Sequence, residues 1–518
     1  MTSPVLNRVS KAEFKVLPEP ELEFRYGQRT HDPHAGLALF GPHSADLGSH
    51  PKSIVYGLIG TPQGVEAFRN WSRVIQNSIV EPLVAKKKMG RLIQPDDRKL
   101  YLLWPPFPGF EGAFASSWPV SSACRHELDG QKLIHLAHHN DPTTRAYDVV
   151  SAYTDAIAKT CQRDENFHVV VCVVPDEVWE NCRPQSKVKD GHGEKISDIE
   201  HYRRRGQSNA TSPDPYEMSP DFRRQLKARA MEHKIPLQII RESTLRFGPP
   251  VAGNMRGLTP LSDRAWNLGS TLLYKAGGKP WRLATARKGV CYIGLAFRRS
   301  GDADPRTACC AAQMFLDTGD GIVFKGEFGP WYSPEEKECH LDRESARKLL
   351  AGALETYRDQ GGKELKEIFL HSRSTIDKEE FEGYKAACPP GVKIVGVRVR
   401  TDHRGLKLFR VGDWPVLRGT FWRIDDRSAY LWASGFKPSL LTYDGWEVPT
   451  PLRIDIEHGD ADIEQVALDI FGLTKLNYNG CKLGDADPVT VGFSDAVGEI
   501  LIANPTVKAT SPSFKFYI

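Results

Sequence analysis

Apolar residues follow two spacings along the first half of this chain. Residues 53–60 (SIVYGLIG) form a short apolar run that reads as a buried strand, and Thr61 and Pro62 behind it supply a helix N-cap and a first-turn proline. Val65, Phe68, Trp71, Ile75 and Ile79 then recur at helical spacing, so the unit is a strand followed by a helix. Residues 168–175 (HVVVCVVP) are apolar almost throughout, the pattern of a parallel strand covered on both faces, and the proline ends it. From about 183 to 219 large apolar residues become scarce (SKVKDGHGEK, RRRGQSNATSPDP), which is the composition of an exposed insertion. Periodicity returns at Ser219, an N-cap followed by Pro220, with a helix to about Glu232 and a strand over 235–240 (IPLQII). A further helix around 266–274 stops at Gly277 and Gly278.

The second half opens with two strands, 289–298 (GVCYIGLAFR) and 322–328 (IVFKGEF), the latter after the turn Gly319-Asp320-Gly321. Residues 341–357 are amphipathic, with Ala346, Leu349, Leu350, Leu354 and Tyr357 inward, and 367–371 and 392–399 return to strand spacing. The order β, β, α, β is that of a ribonuclease H-like core, an order that many α/β domains share. The predicted architecture is therefore α/β in both halves, and 518 residues leave room for about two to four domains.

Composition narrows the class without choosing a function. Hydrophobic residues make up 40% and charged residues 26% of the chain, the balance of an ordinary globular protein. Lysine and arginine number 69 against 65 aspartates and glutamates, for a net charge of +4. Any affinity for nucleic acid must therefore come from cations concentrated locally. No apolar run approaches the ~20 residues that span a bilayer, and the first sixteen residues lack the apolar core of a signal peptide. The expected location is the cytoplasm, with no membrane contact. The ten cysteines contain no CxxC pair, and the adjacent Cys309 and Cys310 suit neither a disulfide nor a paired metal site, so the cysteines are expected to be buried thiols.

Several chemistries lack their signatures. There is no GxxxxGK[ST], no HExxH and no GxSxG. His138-His139 and the pair His31 and His34 have no carboxylate or cysteine at ligand spacing, which favours packing or loop roles. A cationic constellation is more informative. Arg223 and Lys227 stand four apart on one helix and can converge on one point, Gln238 lies in the strand that follows, and Lys275 ends a later helix. Two cations, an amide and a further lysine are what a terminal phosphate requires. On spacing alone, Arg223 and Lys227 fit ordinary solvated surface charges at least as well.

Longer segments carry a resemblance that covers nearly the whole chain. In order, CYIGLAF (291–297), PVLRGTFW (415–422), LWASGF (431–436), GWEVPTPLRI (445–454), LTKLNYN (473–479) and FSDAVGEIL (493–501) resemble the PIWI domain of short prokaryotic Argonautes. Upstream, GLALFGPHS (36–44), PPFPGFEGAF (105–114), the strand ending in VPDEVW and LKARAMEHKIPLQIIRE (226–242) resemble the MID half. The resemblance implies an N-terminal segment plus a Rossmann-like MID domain over 1–284, with the polar insertion at about 183–219, and a ribonuclease H-like PIWI domain over 285–518. It also implies a pocket for a guide strand's 5′-phosphate at Arg223, Lys227, Gln238 and Lys275 of KAGGKPW, although relatives often have tyrosine where this chain has Arg223. In the family a divalent ion joins that pocket to the terminal carboxylate, which makes Ile518 and Gln238 the expected Mg²⁺ ligands.

Cutting Argonautes hold two metal ions on four acids. Here Ala296 stands at the first acidic position, Ser372 at the third and Asp495 at the last, with Glu327 a poor match for the glutamate finger. The resemblance therefore implies a chain that does not cut. It implies a small guide RNA, a single-stranded DNA target, and an APAZ-containing effector (sirtuin-like, TIR or nuclease) bound as a heterodimer that assembles further on activation. In such systems this is antiviral defence by abortive infection, often through NAD depletion. Arg410, Arg418 and Lys475 are candidate contacts to the nucleic-acid backbone, or else structural ion pairs. The alternative is a self-sufficient metal-dependent nuclease using Asp495 with Asp302, Asp304 or Glu327.

Overall fold

The computed structural model describes residues 12–80, 104–163, 165–195, 218–247, 259–299, 308–315, 321–359, 362–402, 405–443, 445, 447–503 and 513–518. A short strand, β1 (Phe14–Val16), precedes a parallel sheet made of β2 (Tyr56–Gly60), β3 (Cys124–Glu127), β4 (Val169–Val174) and β5 (Leu237–Arg241). The spatial order is β3-β2-β4-β5, and every pairing is parallel. Helix α1 (Pro62–Ile75) follows β2 as expected: Thr61 Oγ1 accepts a hydrogen bond from the Gly64 amide at 3.0 Å, and Pro62 occupies the first turn. Ile79 lies past the end of this helix, in a bridge with Phe107. Helix α2 (Pro142–Cys161) and then α3 (Phe222–Ala230) pack together on one face of the sheet.

All six residues of β4 are buried because its two faces serve two cores. Val169, Val171 and Val173 pack with α1, while Val170, Cys172 and Val174 pack with α2 and α3. That division explains a strand without polar alternation. Helix α3 begins later than the sequence suggests. Its cap is Asp221, whose carboxylate accepts from the Arg224 amide at 3.1 Å, while Ser219 Oγ accepts from the Asp221 amide one step earlier. The polar stretch 196–217 lies outside the described residues.

Helix α4 (Leu261–Lys275) leads to a second, nine-stranded sheet. Its strands are β6 (Val290–Arg299), β7 (Ala308–Phe315), β8 (Gly321–Gly329), β9 (Glu367–Ser372), β10 (Lys393–Thr401), β11 (Thr420–Arg423), β12 (Ser428–Trp432) and β13 (Leu452–His458), in spatial order β1-β11-β12-β13-β10-β9-β6-β7-β8. β6, β7 and β8 form an antiparallel meander, and β9 runs parallel between β6 and β10. Helices α5 (Arg343–Asp359) and α6 (Lys378–Ala387) cover one face; α7 (Ile463–Leu473) and α8 (Ser494–Leu501) cover the other. Over 290–401 this is the ribonuclease H-like order with one strand and one helix, β7 and α6, more than the apolar pattern indicates; β1, β11, β12, β13, α7 and α8 lie beyond that pattern.

The two sheets separate between Arg241 and Val290, the interval that contains the expected boundary at 284. The chain's outer segments cross that boundary in opposite directions. β1 pairs with β11, Phe14 opposite Trp422 and Val16 opposite Thr420. At the other end Phe514, Tyr517 and Ile518 are buried and reach the first half. Among the described residues no helix is long and apolar enough to cross a membrane.

Candidate functional site

Helix α3 turns Phe222, Leu226 and Ala230 into the core, and the same inward arc carries a lysine. Lys227 is only 4% exposed, and its Nζ donates to the main-chain oxygen of Tyr517 at 3.0 Å and to that of Ile518. Arg223, one turn earlier, is half-buried. Its neighbour Arg224, which sequence reasoning passed over, ties α3 to α8 through Glu499 at 2.7 Å.

Lys275 arrives from the other side. It occupies the last turn of α4, which closes through the Gly277 amide donating to the Tyr274 oxygen and the Gly278 amide to the Leu273 oxygen. Gly277 has φ +93°, a conformation that suits glycine. So held, Lys275 is 1% exposed, and its Nζ donates to the Leu237 oxygen and to Gln238 Oε1, both at 2.7 Å. Arg223, Lys227, Gln238 and Lys275 thus meet between α3, α4 and the start of β5. The solvated alternative for Lys227 is ruled out by its burial.

Burial holds both lysines well below the usual lysine range, and Arg223 nearby adds to the shift in each. Burial likewise lowers Arg223. Among the described residues no aspartate or glutamate side chain makes an ion pair or hydrogen bond with Lys227 or Lys275. The neighbouring thiol of Cys172 is pushed up to about 12 by burial, so it brings no negative charge at neutral pH. Lys275 faces only neutral oxygens and Lys227 one oxygen of the Ile518 carboxylate; three clustered cations against one such charge are costly to bury, and the chemistry that relieves them is a bound anion with several acceptor oxygens.

The two residues expected to hold Mg²⁺ do not fit it as arranged. Lys275 Nζ stands on the amide oxygen of Gln238, and Lys227 Nζ stands on the oxygen of Ile518. The Gln238 amide oxygen and one oxygen of the Ile518 carboxylate already face an ammonium, and the ion's charge would add to theirs.

The degenerate acidic positions lie in the second sheet. Ala296 is buried on the face of β6 that also carries Tyr292. Ser372, two residues on from Leu370, shares that residue's face of β9, opposite to the face of Ala296, so the structure does not bring Ala296 and Ser372 together. His371 shares Ala296's face. It is pushed down to about 3 by burial, and its Nδ1 lies 2.9 Å from Thr490 Oγ1. Asp495 lies on α8, which packs against β6, and Glu327 lies on β8; both side chains, and Asp302 and Asp304 entirely, lie outside the described residues.

Two of the three expected backbone contacts are corrected by burial. Arg418 (4% exposed) and Lys475 (2% exposed) share one carboxylate, Glu19, at 3.0 Å and 2.8 Å. They are structural, and Lys475 is pushed down to about 8 by burial. Arg410 is exposed; its Nε donates to the Trp414 oxygen at 3.1 Å, and its guanidinium lies over the Phe436 ring. The histidines take packing and loop roles: His34 pairs with Asp32, His138 with Glu177, and His139 accepts from the Asp141 amide. Of the cysteines whose side chains are described, Cys161 and Cys388 are only half-buried, and the rest are buried as expected.

No family model and no curated protein matches the chain. Solved structures do. Clostridium butyricum Argonaute, bound to a guide DNA with a 5′ deoxycytidine and a 19-mer target DNA, matches with TM-score 0.62 and 16% identity, covering 98% of this chain and 55% of that one. A. aeolicus Argonaute matches with TM-score 0.55 and 12% identity over 98% of this chain and 56% of that one, alone and with an externally bound siRNA. The chain spans about half the length of those Argonautes. At such identities the likeness establishes the fold: a MID-like parallel α/β half and a ribonuclease H-like PIWI half.

Proposed function

We propose that this chain anchors the 5′-phosphate of a small guide RNA between α3 and α4 and presents the guide for pairing with single-stranded DNA. The observation that carries the reading is the pair of buried lysines, Lys227 and Lys275, held beside Arg223 with no carboxylate side chain facing them. A phosphate monoester supplies the missing charge and the acceptors. Support for the guide comes from the Argonaute fold, seen in a relative that holds guide and target DNA. Specificity then lies in base pairing, with the protein reading ends and backbone.

The reading places cutting and killing in a partner. Ala296 and Ser372 offer no carboxylate to a pair of metal ions, so this chain senses, and an APAZ-containing effector of sirtuin-like, TIR or nuclease type acts when the target is paired. That effector and its role in antiviral defence rest on the family resemblance of the segments named above.

The test is fluorescence anisotropy with one RNA sequence carrying either a 5′-phosphate or a 5′-hydroxyl. The phosphorylated strand is expected to bind about tenfold tighter or better, since charged hydrogen bonds contribute roughly 1.5–3 kcal/mol each. The double substitution Lys227→Met, Lys275→Met is expected to erase that preference, and EDTA to leave it intact. Equal affinity of the unsubstituted chain for both ends would sink the anchored-guide reading. With matched guide and target plus Mn²⁺, no cleavage is expected; cleavage that Asp495→Ala abolishes would favour the self-sufficient nuclease.

A further inference from the structure

Away from the lysine pocket, three ligand groups of two kinds converge where the hairpin ending at Cys339 meets the start of α6. His340 follows the hairpin, while Asp377 and Glu380 occupy the cap and first turn of α6. One ligand atom from each lies within 4.8 Å of the others, the only such trio among the described residues. Glu380 is 1% exposed; its Oε1 accepts from the Tyr384 hydroxyl at 2.8 Å, but Oε2 is buried without a hydrogen-bond partner. Nδ1 of His340 is likewise buried without a hydrogen-bond partner, and the two atoms face each other at 3.8 Å, an ion-pair separation. That is beyond hydrogen-bond reach, yet two ligands on one ion, with bonds of about 2.0–2.2 Å, lie roughly 3–4 Å apart.

The far side of the imidazole supports the same use. His340 Nε2 lies 3.3 Å from Glu336 Oε2. A carboxylate there holds the ring proton on Nε2 and turns the Nδ1 lone pair toward Glu380, as outer carboxylates do for metal-bound histidines. Asp377 is fixed beside them because its Oδ1 accepts from the Glu380 amide at 2.7 Å.

We propose that His340, Asp377 and Glu380 form a binding site for a divalent transition-metal ion, Zn²⁺ on the chemistry of its donors. One imidazole and two carboxylates suit that ion, and their two negative charges balance it. Three protein ligands leave a coordination position for water. The ion ties the hairpin to α6, which follows the loop leaving β9. The site is separate from the lysine pocket, so it binds with or without a guide.

The experiment titrates the EDTA-stripped full chain with Co²⁺ and then Zn²⁺, following the visible Co²⁺ spectrum and calorimetric heat. One ion per chain is expected, without a thiolate charge-transfer band, together with a Tm higher by a few degrees in Zn²⁺. His340→Ala and Glu380→Gln should each weaken binding at least tenfold, and Glu336→Gln, which does not touch the ion, about tenfold. Should His340→Ala fail to fold, Glu380→Gln and Glu336→Gln preserve volume and carry the test. The proposal is overturned by a stripped chain that binds no ion, by binding that Glu380→Gln leaves unchanged, or by a thiolate band.

Discussion

Lys227 and Lys275 carry a burial cost whose size depends on pH. Below their lowered folded values both the folded and unfolded states carry the protons, and the burial cost is fully present. As pH rises toward the ordinary lysine value of about 10.4, the folded lysines lose their protons first and the cost shrinks. Ligand-free chain is therefore expected to gain stability with rising pH across that window, while affinity for a 5′-phosphate falls. Urea denaturation at several alkaline pH values, with the Lys227→Met, Lys275→Met chain as the control that lacks the gain, checks both signs. Glu19 makes the opposite case. Burial raises its carboxyl, but Arg418 and Lys475 outweigh that and hold it below the usual range. Glu19→Gln leaves two buried cations under-compensated and is expected to cost about 3 kcal/mol, read from the urea midpoint. Lys227, Gln238 and Lys275 were legible in the sequence because each stands at a recognisable local position. The fate of Arg418 and Lys475 was not, because their partner Glu19 lies some four hundred residues away.

Elements place these side chains, and glycines set the limits. The turn that ends α4 aims Lys275 into the pocket, and Gly277 adopts φ +93° within it. Gly277→Ala is expected to cost about 1–2 kcal/mol and to weaken the 5′-phosphate preference measurably by anisotropy, since the last helical turn must reshape. On β6, a Cβ at Gly294 would lie 2.0 Å from the Thr490 oxygen, so the strand and the short helix Val489–Gly492 pack without a side chain between them. Gly294→Ala should lower stability by about 1–3 kcal/mol, measured as a loss of Tm. Strands of β-branched residues, such as β4, announced themselves. β7 (ACCAAQMF) did not, because alanine and cysteine carry little strand signal; nor did α6, whose sequence KEEFEGYKAA is half charged with only Phe381 and Tyr384 as large apolar positions. Helix starts drifted for a related reason: Ser219 and Asp221 are both good caps, and only the Arg224 amide hydrogen bond shows which one acts.

At the scale of the whole molecule, the two sheets are bound together by the chain's outer segments rather than by a linker alone. β1 completes the edge of the second sheet, and the Phe514–Ile518 region fills the floor of the pocket in the first. On the proposed reading, a guide anchored at Lys227 would touch the very segment that joins the halves, which would give occupancy a route to the second half. The pairing of β1 with β11 also has a consequence in time. Residues 14–16 leave the ribosome some four hundred residues ahead of their partners Thr420–Arg423. At about 5–20 residues per second, that strand waits tens of seconds for its partner. Until then, the main-chain N–H and C=O groups of residues 14–16 lack their ladder partners, and the newborn chain must keep that unpaired edge from the wrong neighbour.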